Sequence, residues 1–283
     1  MFESISLVVA LIGSAIGGIY DLKTSDMLDA VPYAMIAIAL VLHGVESFLT
    51  GSYWPILNSS IAGLGLLGFG YIMYFFGQWG GGDAWMLSAV GFLLPSFNNN
   101  LFFPFPLSYL FNMFLVGAAY MLVYAFVFAL MNRKIIFHFK KDMKASGKML
   151  TIGSTVLFFI FFIFNWILVQ HFNLSFDFLS SIGNSLLVVL VAVALFVIYR
   201  FAKAVENLGF KKKIPVSKLK VGDVLLENKL YKGITEKELK QIRKNKKSVW
   251  IKEGVRFAPT FPLALLFTIY FGDGILLFIK FLV

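Results

Sequence analysis

The chain has 283 residues, 59% of them hydrophobic and 33 of them Phe, with a mean hydropathy of +0.82, a formal net charge of +10 and no cysteine. An apolar share this far above the roughly 45–50% of soluble domains excludes a water-soluble globular chain. The lack of cysteine excludes disulfides and any Cys-ligated zinc module.

An apolar run needs about 20 residues to cross a hydrocarbon core. Runs at 3–20, 31–49, 56–77, 105–132, 150–170, 180–200 and 258–281 meet that need, and a shorter one at 84–96 follows three glycines. They predict an all-α integral membrane protein of about eight transmembrane helices. The first run opens Met1-Phe2-Glu3-Ser4 without the basic flank of a cleaved signal, so it is expected to be a retained span.

Short cytoplasmic loops retain Lys and Arg. With the N-terminus outside, the inner loops fall near 21–30, 78–83, 133–149 and 201–257. With Arg200 at their border these hold 24 of the 25 Lys and Arg residues, leaving Lys280. The opposing loops, Gly51 to Pro55, Phe97 to Phe103 and His171 to Leu179, hold none. The expected place is therefore the plasma membrane, multi-pass, with the positive charge explained by orientation and without nucleic acid.

Four regions are expected along the chain: a membrane core at 1–132, a further helix pair with a basic loop at 133–200, a basic insert at 201–257 and a last span at 258–283. The core has a single basic residue, Lys23, whereas the insert has 16 basic and 6 acidic residues. Within the insert, Lys220 to Leu226 reads as a turn and short strand. Thr235-Glu236-Lys237-Glu238 reads as a capping box opening a basic helix through about Asn245, and Ser248 to Ile251 as another strand. This small α+β insert is expected to be a solvated inner loop, and its charge also suits anionic lipid headgroups.

Two carboxylates stand out because an ionisable group at membrane depth costs roughly 3 kcal/mol or more. Asp21 ends the first span, and Asp83 follows Gly80-Gly81-Gly82 at the start of the short run, on the same side after an odd number of crossings. Facing carboxylates suit hydrolysis: one takes a proton from water while the other, still protonated, donates to the carbonyl oxygen or leaving amine. Glycines at 80, 81 and 82 would let a substrate backbone approach, since irregular backbone at membrane depth survives where it lines a cavity. As plain structure, Asp83 would be an acid capping its helix. Asp223 reads as a turn residue, Asp273 as a packing or outer-edge residue, and His43, Glu46, His138, His171 and Asp177 as interfacial groups. No H-E-x-x-H, G-x-S-x-G or P-loop pattern occurs, and no metal or cofactor is expected.

Tyr20-Asp21-Leu22-Lys23-Thr24, with Gly80-Gly81-Gly82-Asp83-Ala84-Trp85-Met86-Leu87 about 60 residues on, resembles the archaeal prepilin and preflagellin peptidases, G-x-G-D aspartic proteases of the membrane. The stretch Val249 to Pro259 through Gly272-Asp273 is also similar to that family's ending. The resemblance implies that Asp21 and Asp83 form the catalytic dyad. It further implies removal of the short basic leader of type IV pilin-like precursors, archaellins included, at the cytoplasmic face. The absence of cysteine and the early Asp21 argue against the methyltransferase domain of bacterial relatives, so peptidase activity alone is expected. Asp26 and Asp29 are the local exceptions on a basic inner surface, and we expect them to receive the basic leader; otherwise they are helix-start acids. A presenilin-type intramembrane protease fits less well, because Pro262-Leu263-Ala264-Leu265 lacks that family's Pro-Ala-Leu order and Asp21 lies in the first span. A secondary transporter also uses broken helices and buried acids, but no inverted repeat is apparent.

Overall fold

The computed structural model describes residues 1–97, 101–172, 177–226, 233–252 and 255–277. Contacts divide the chain into two units, Met1–Val123 with Ile214–Val283, and Tyr124–Lys213. Among the described residues, six helices are long and apolar enough to span a membrane: α1 (Phe2–Thr24), α2 (Ala30–Thr50), α3 (Trp54–Phe75), α5 (Phe105–Met131), α6 (Arg133–His171) and α7 (Phe178–Gly209). The all-α membrane architecture is borne out, with a shorter reach at two of the eight expected crossings. The run at 84–96 is α4 (Gly81–Leu93), of 13 residues, and the run at 258–281 is α9 (Thr260–Phe271), of 12. Gly272, at a positive φ of 69°, ends α9. Residues 278–281 of that run, Lys280 among them, lie outside the described residues.

Helix α1 explains how a lipid-facing helix buries a charge. Its buried residues are Ser6, Ala10, Gly13, Ser14, Gly17, Gly18 and Asp21, while Ile5, Val8, Ile12, Ile16 and Ile19 are exposed. Lipid tails are as apolar as Ile, so transmembrane helices pack through small residues that let backbones approach. The spacing of three and four keeps this stripe on one face, and Asp21 continues it by one further turn. A Cβ at Gly18 would lie 3.1 Å from the Cα of Pro259, and one at Gly13 would lie 2.4 Å from the sulfur of Met35.

At about 1.5 Å per residue, α4 is only about 20 Å long, less than a hydrocarbon core of about 30 Å. It packs against α1, α2 and α3, and every residue from Met86 to Leu93 is buried. Its last carbonyls therefore need protein partners. Ser59 Oγ donates to Phe92 O (2.7 Å), and His43 Nε2 donates to Leu93 O (3.2 Å) while Nδ1 lies 3.1 Å from Glu46 Oε2. His43 and Glu46, expected as interfacial groups, are thus part of the packing that stops α4 inside the bundle, and His43 is buried.

Beyond α7 the first unit carries the small fold expected of the insert. Strands β2 (Val224–Leu225) and β3 (Ser248–Lys252) follow β1 (Lys211–Pro215), and β2 and β3 pair antiparallel, with Val224 opposite Lys252 and Leu225 opposite Ile251. Helix α8 (Glu236–Asn245) opens on the expected box: Thr235 N–H donates to Glu238 Oε2 (2.7 Å) and Glu238 N–H to Thr235 Oγ1 (3.4 Å). These bonds, the Thr235 N–H above all, hold the Glu238 carboxyl below its usual range. Val216, Leu219, Ile234, Leu239 and Val249 form its core.

In the second unit, α6 begins at Arg133 and runs through the stretch 133–149 that was expected to be a loop, while α7 continues to Gly209, into the expected insert. Pairing explains both extensions, because helix beyond the lipid persists where a neighbour covers it. Arg200 donates to Asp142 Oδ1 (2.5 Å) and Ser146 Oγ (2.7 Å), and Phe139 meets Phe201 edge-on at 5.4 Å.

Candidate active site

Asp21 is buried in the last turn of α1, and Ala258 N–H donates to its Oδ2 at 2.9 Å. Ser25 follows with φ 58° and ψ 34°, the left-handed closure common at helix ends, its N–H donating to Asp21 O at 2.8 Å. Among the described residues it is the only non-glycine with a positive φ. Its Oγ accepts from Arg256 Nε at 2.9 Å, and Tyr120 donates to the Arg256 carbonyl at 2.8 Å. Residues 255–259, between β3 and α9, therefore strap the C-terminal end of α1. Glu253 and Gly254 of the family-like stretch lie outside the described residues.

Asp83 is half-buried at the third position of α4, and Gly80 N–H donates to its Oδ2 at 2.9 Å. The capping role is thus real, and it uses one carboxylate oxygen. The Asp21 charge acts on Asp83, and Arg256 and Asp26 act on Asp21. The two acids expected to meet share one electrostatic neighbourhood, built from the end of α1 and the start of α4.

The glycines divide the work. A Cβ at Gly82 would lie 2.5 Å from Met27 Cβ, so this position lets the 25–29 turn lie against α4; a Cβ at Gly81 meets nothing within 4 Å. The close neighbour at Gly82 is the chain's own Met27. Trp79, just before the glycines, stacks on Phe114 (5.9 Å) and meets Phe69 edge-on (6.0 Å) and Phe257 (6.1 Å). Trp85 meets Tyr33 (5.0 Å) and Tyr71 (6.2 Å).

Asp26 and Asp29 are exposed beside the pair. Asp26 Oδ1 accepts from Met27 N–H at 2.9 Å, and Asp29 precedes α2 without a side-chain cap bond. Asp223 accepts from Lys220 N–H (2.7 Å) within a turn, as expected. Asp273 is buried and structural: it accepts from Ser108 Oγ and from Phe102 N–H (2.7 Å), tying the break after α9 to the start of α5. Sequence reasoning passed over Ser25, Trp79, Arg256 and the Ala258 N–H as site groups. The one legible signal was Arg256, a cation two residues before the apolar run at 258–281.

Fold and site together define a polytopic all-α membrane protein with one carboxylate at the end of core helix α1 and another at the start of core helix α4, which packs against it. No family model matches the chain. It is 26% identical over 147 residues to the prepilin peptidase EppA of Methanothermobacter thermautotrophicus, covering 47% of this chain and 38% of that protein. It is 31% identical over 94 residues to the preflagellin peptidase of Methanocaldococcus jannaschii and 32% over 93 residues to that of Methanococcus voltae, each covering 33% of this chain and 40% of the relative. These similarities support the archaeal prepilin and preflagellin peptidase family, and the matches span about two fifths of the curated relatives' length.

Proposed function

We propose that the chain is a membrane aspartic endopeptidase that removes the short basic leader of type IV pilin-like precursors, prepilins or preflagellins, with Asp21 and Asp83 as its catalytic pair. The observation that carries this reading is geometric: helix α1 ends with Asp21 in its last turn under the 255–259 strap and packs against α4, which opens with Asp83 on a glycine turn. Similarity to three named peptidases supports it. The ionised carboxylate takes a proton from water as its oxygen attacks the scissile carbonyl carbon, and the protonated one donates to the carbonyl oxygen. Collapse of the tetrahedral gem-diol breaks the C–N bond: the amine leaves with the proton taken from water, and a gem-diol hydroxyl returns its proton to the other carboxylate as the C=O re-forms, restoring one shared proton.

Lys and Arg bias favours an outside N-terminus and an active site at the cytoplasmic face of the plasma membrane. Asp26 and Asp29 receive the basic leader, and the insert's cations meet anionic headgroups of the bilayer. The test is cleavage in detergent of a precursor with a basic leader. Asp21→Asn and Asp83→Asn, at equal expression, each lose about 100-fold or more of the rate; cleavage that survives either change overturns the two-aspartate reading.

A further inference from the structure

The two acids do not have equivalent surroundings. Asp83 accepts one backbone N–H, from Gly80, and feels the charge of Asp21. Asp21 accepts one backbone N–H, from Ala258, and also has a cation for a neighbour, Arg256. Among the described residues, Arg256 on the 255–259 strap and Asp26 on the turn after α1 act on Asp21, and Asp83 on α4 is acted on by it. Arg256 is the only cation of the three.

Arg256 is held from two directions. Its carbonyl accepts from Tyr120 of α5, and its Nε donates to Ser25, four residues after Asp21. Ser25 occupies the left-handed region, which is unfavourable for a non-glycine residue. Such strain persists where the surroundings over-determine it and gathers at functional sites. Glycine would take this conformation freely but would offer no Oγ to the guanidinium.

We propose that Arg256 is a positioning residue that sets the asymmetry of the pair: it holds Asp21 as the carboxylate that takes the proton from water, so the shared proton resides on Asp83. This rests on the peptidase reading for its catalytic consequence, but the location of the proton does not. An opposite charge nearby favours the ionised form of a carboxyl, whereas a like charge disfavours it. A guanidinium stays charged throughout the working pH range, so the bias is constant while the pair titrates.

The test compares wild type with Arg256→Gln, Arg256→Lys and Ser25→Gly in detergent, using cleavage of a basic-leader precursor across pH and infrared difference spectra of the protonated carboxyl stretch. In Arg256→Gln, activity falls off at a higher pH than in wild type, so about tenfold or more is lost at acidic pH and less at alkaline pH. Arg256→Lys keeps the charge and recovers the wild-type pH profile. Ser25→Gly relieves the strain, keeps the chain folded and moves the profile in the same direction as Arg256→Gln by a smaller amount. In the spectra, Asp83→Asn abolishes the protonated-carboxyl band near neutral pH and Asp21→Asn leaves it. An unmoved profile in Arg256→Gln, with equal loss at every pH, or a band abolished by Asp21→Asn instead, overturns the assignment. A wild type that cuts no precursor overturns the peptidase reading, and a protonated-carboxyl band that Asp83→Asn abolishes at neutral pH and that Arg256→Gln weakens there still supports the role of Arg256.

Discussion

At the residue scale, the site is a small number of polar groups whose backbone partners come from elsewhere in the chain. Asp21 depends on the N–H of Ala258, 237 positions away, and Asp83 on Gly80 within its own turn. The first is a tertiary contact that no local pattern announces; the second follows from a glycine before an acid at the third helical position. Asp26 and Asp29 stand exposed on the turn that Gly82 draws against α4. As proposed leader-binding groups they act through charge, and exposed pairs contribute about 0.2–1 kcal/mol each. The double change Asp26→Asn with Asp29→Asn is therefore expected to raise KM several-fold for a Lys-rich leader and to leave KM for a neutralised leader unchanged. Equal KM values for both leaders in both proteins would remove the idea.

At the scale of elements, α4 is the decisive piece. It is a half-length helix enclosed by α1, α2 and α3, and close approach is what permits the enclosure. A Cβ at Gly63 of α3 would lie 2.1 Å from the ring of Phe92, whereas one at Gly65 meets nothing within 4 Å. Overpacking a filled interior costs about 1–3 kcal/mol. Gly63→Ala is therefore expected to lower the thermal midpoint in detergent by several degrees, and Gly65→Ala to leave it within error; equal midpoints would mean that Phe92 moves aside freely. The stripe of small residues on α1 was readable from spacing alone. That α4 ends within the bundle was not, because the partners of its last carbonyls, Ser59 and His43, belong to α3 and α2.

At the scale of the molecule, the proposed orientation rests on the distribution of Lys and Arg, and the chain's lack of cysteine makes it directly testable. Tyr53, between α2 and α3, and Lys218, in the basic insert, are both exposed. A membrane-impermeant maleimide applied to intact cells is expected to label Tyr53→Cys, and to label Lys218→Cys only after lysis. The opposite pattern would invert the topology and put the aspartate pair on the outer side.

Composition alone determined that this is a polytopic helical membrane protein, since no soluble domain tolerates this apolar fraction and bilayer thickness sets the length of a span. Local sequence also determined the α8 capping box and singled out Asp21 and Asp83, because a cap acts within one turn and a charge at membrane depth is costly wherever it falls. Tertiary structure decided the rest: among the described residues, six long spans with two short apolar helices, α4 and α9, the continuation of α6 and α7 past their apolar runs, and the strap that brings Arg256 and Ala258 to Asp21. These turn on which groups become neighbours across long separations, and hydrophobic periodicity, which reports only the face a residue occupies, does not carry that information.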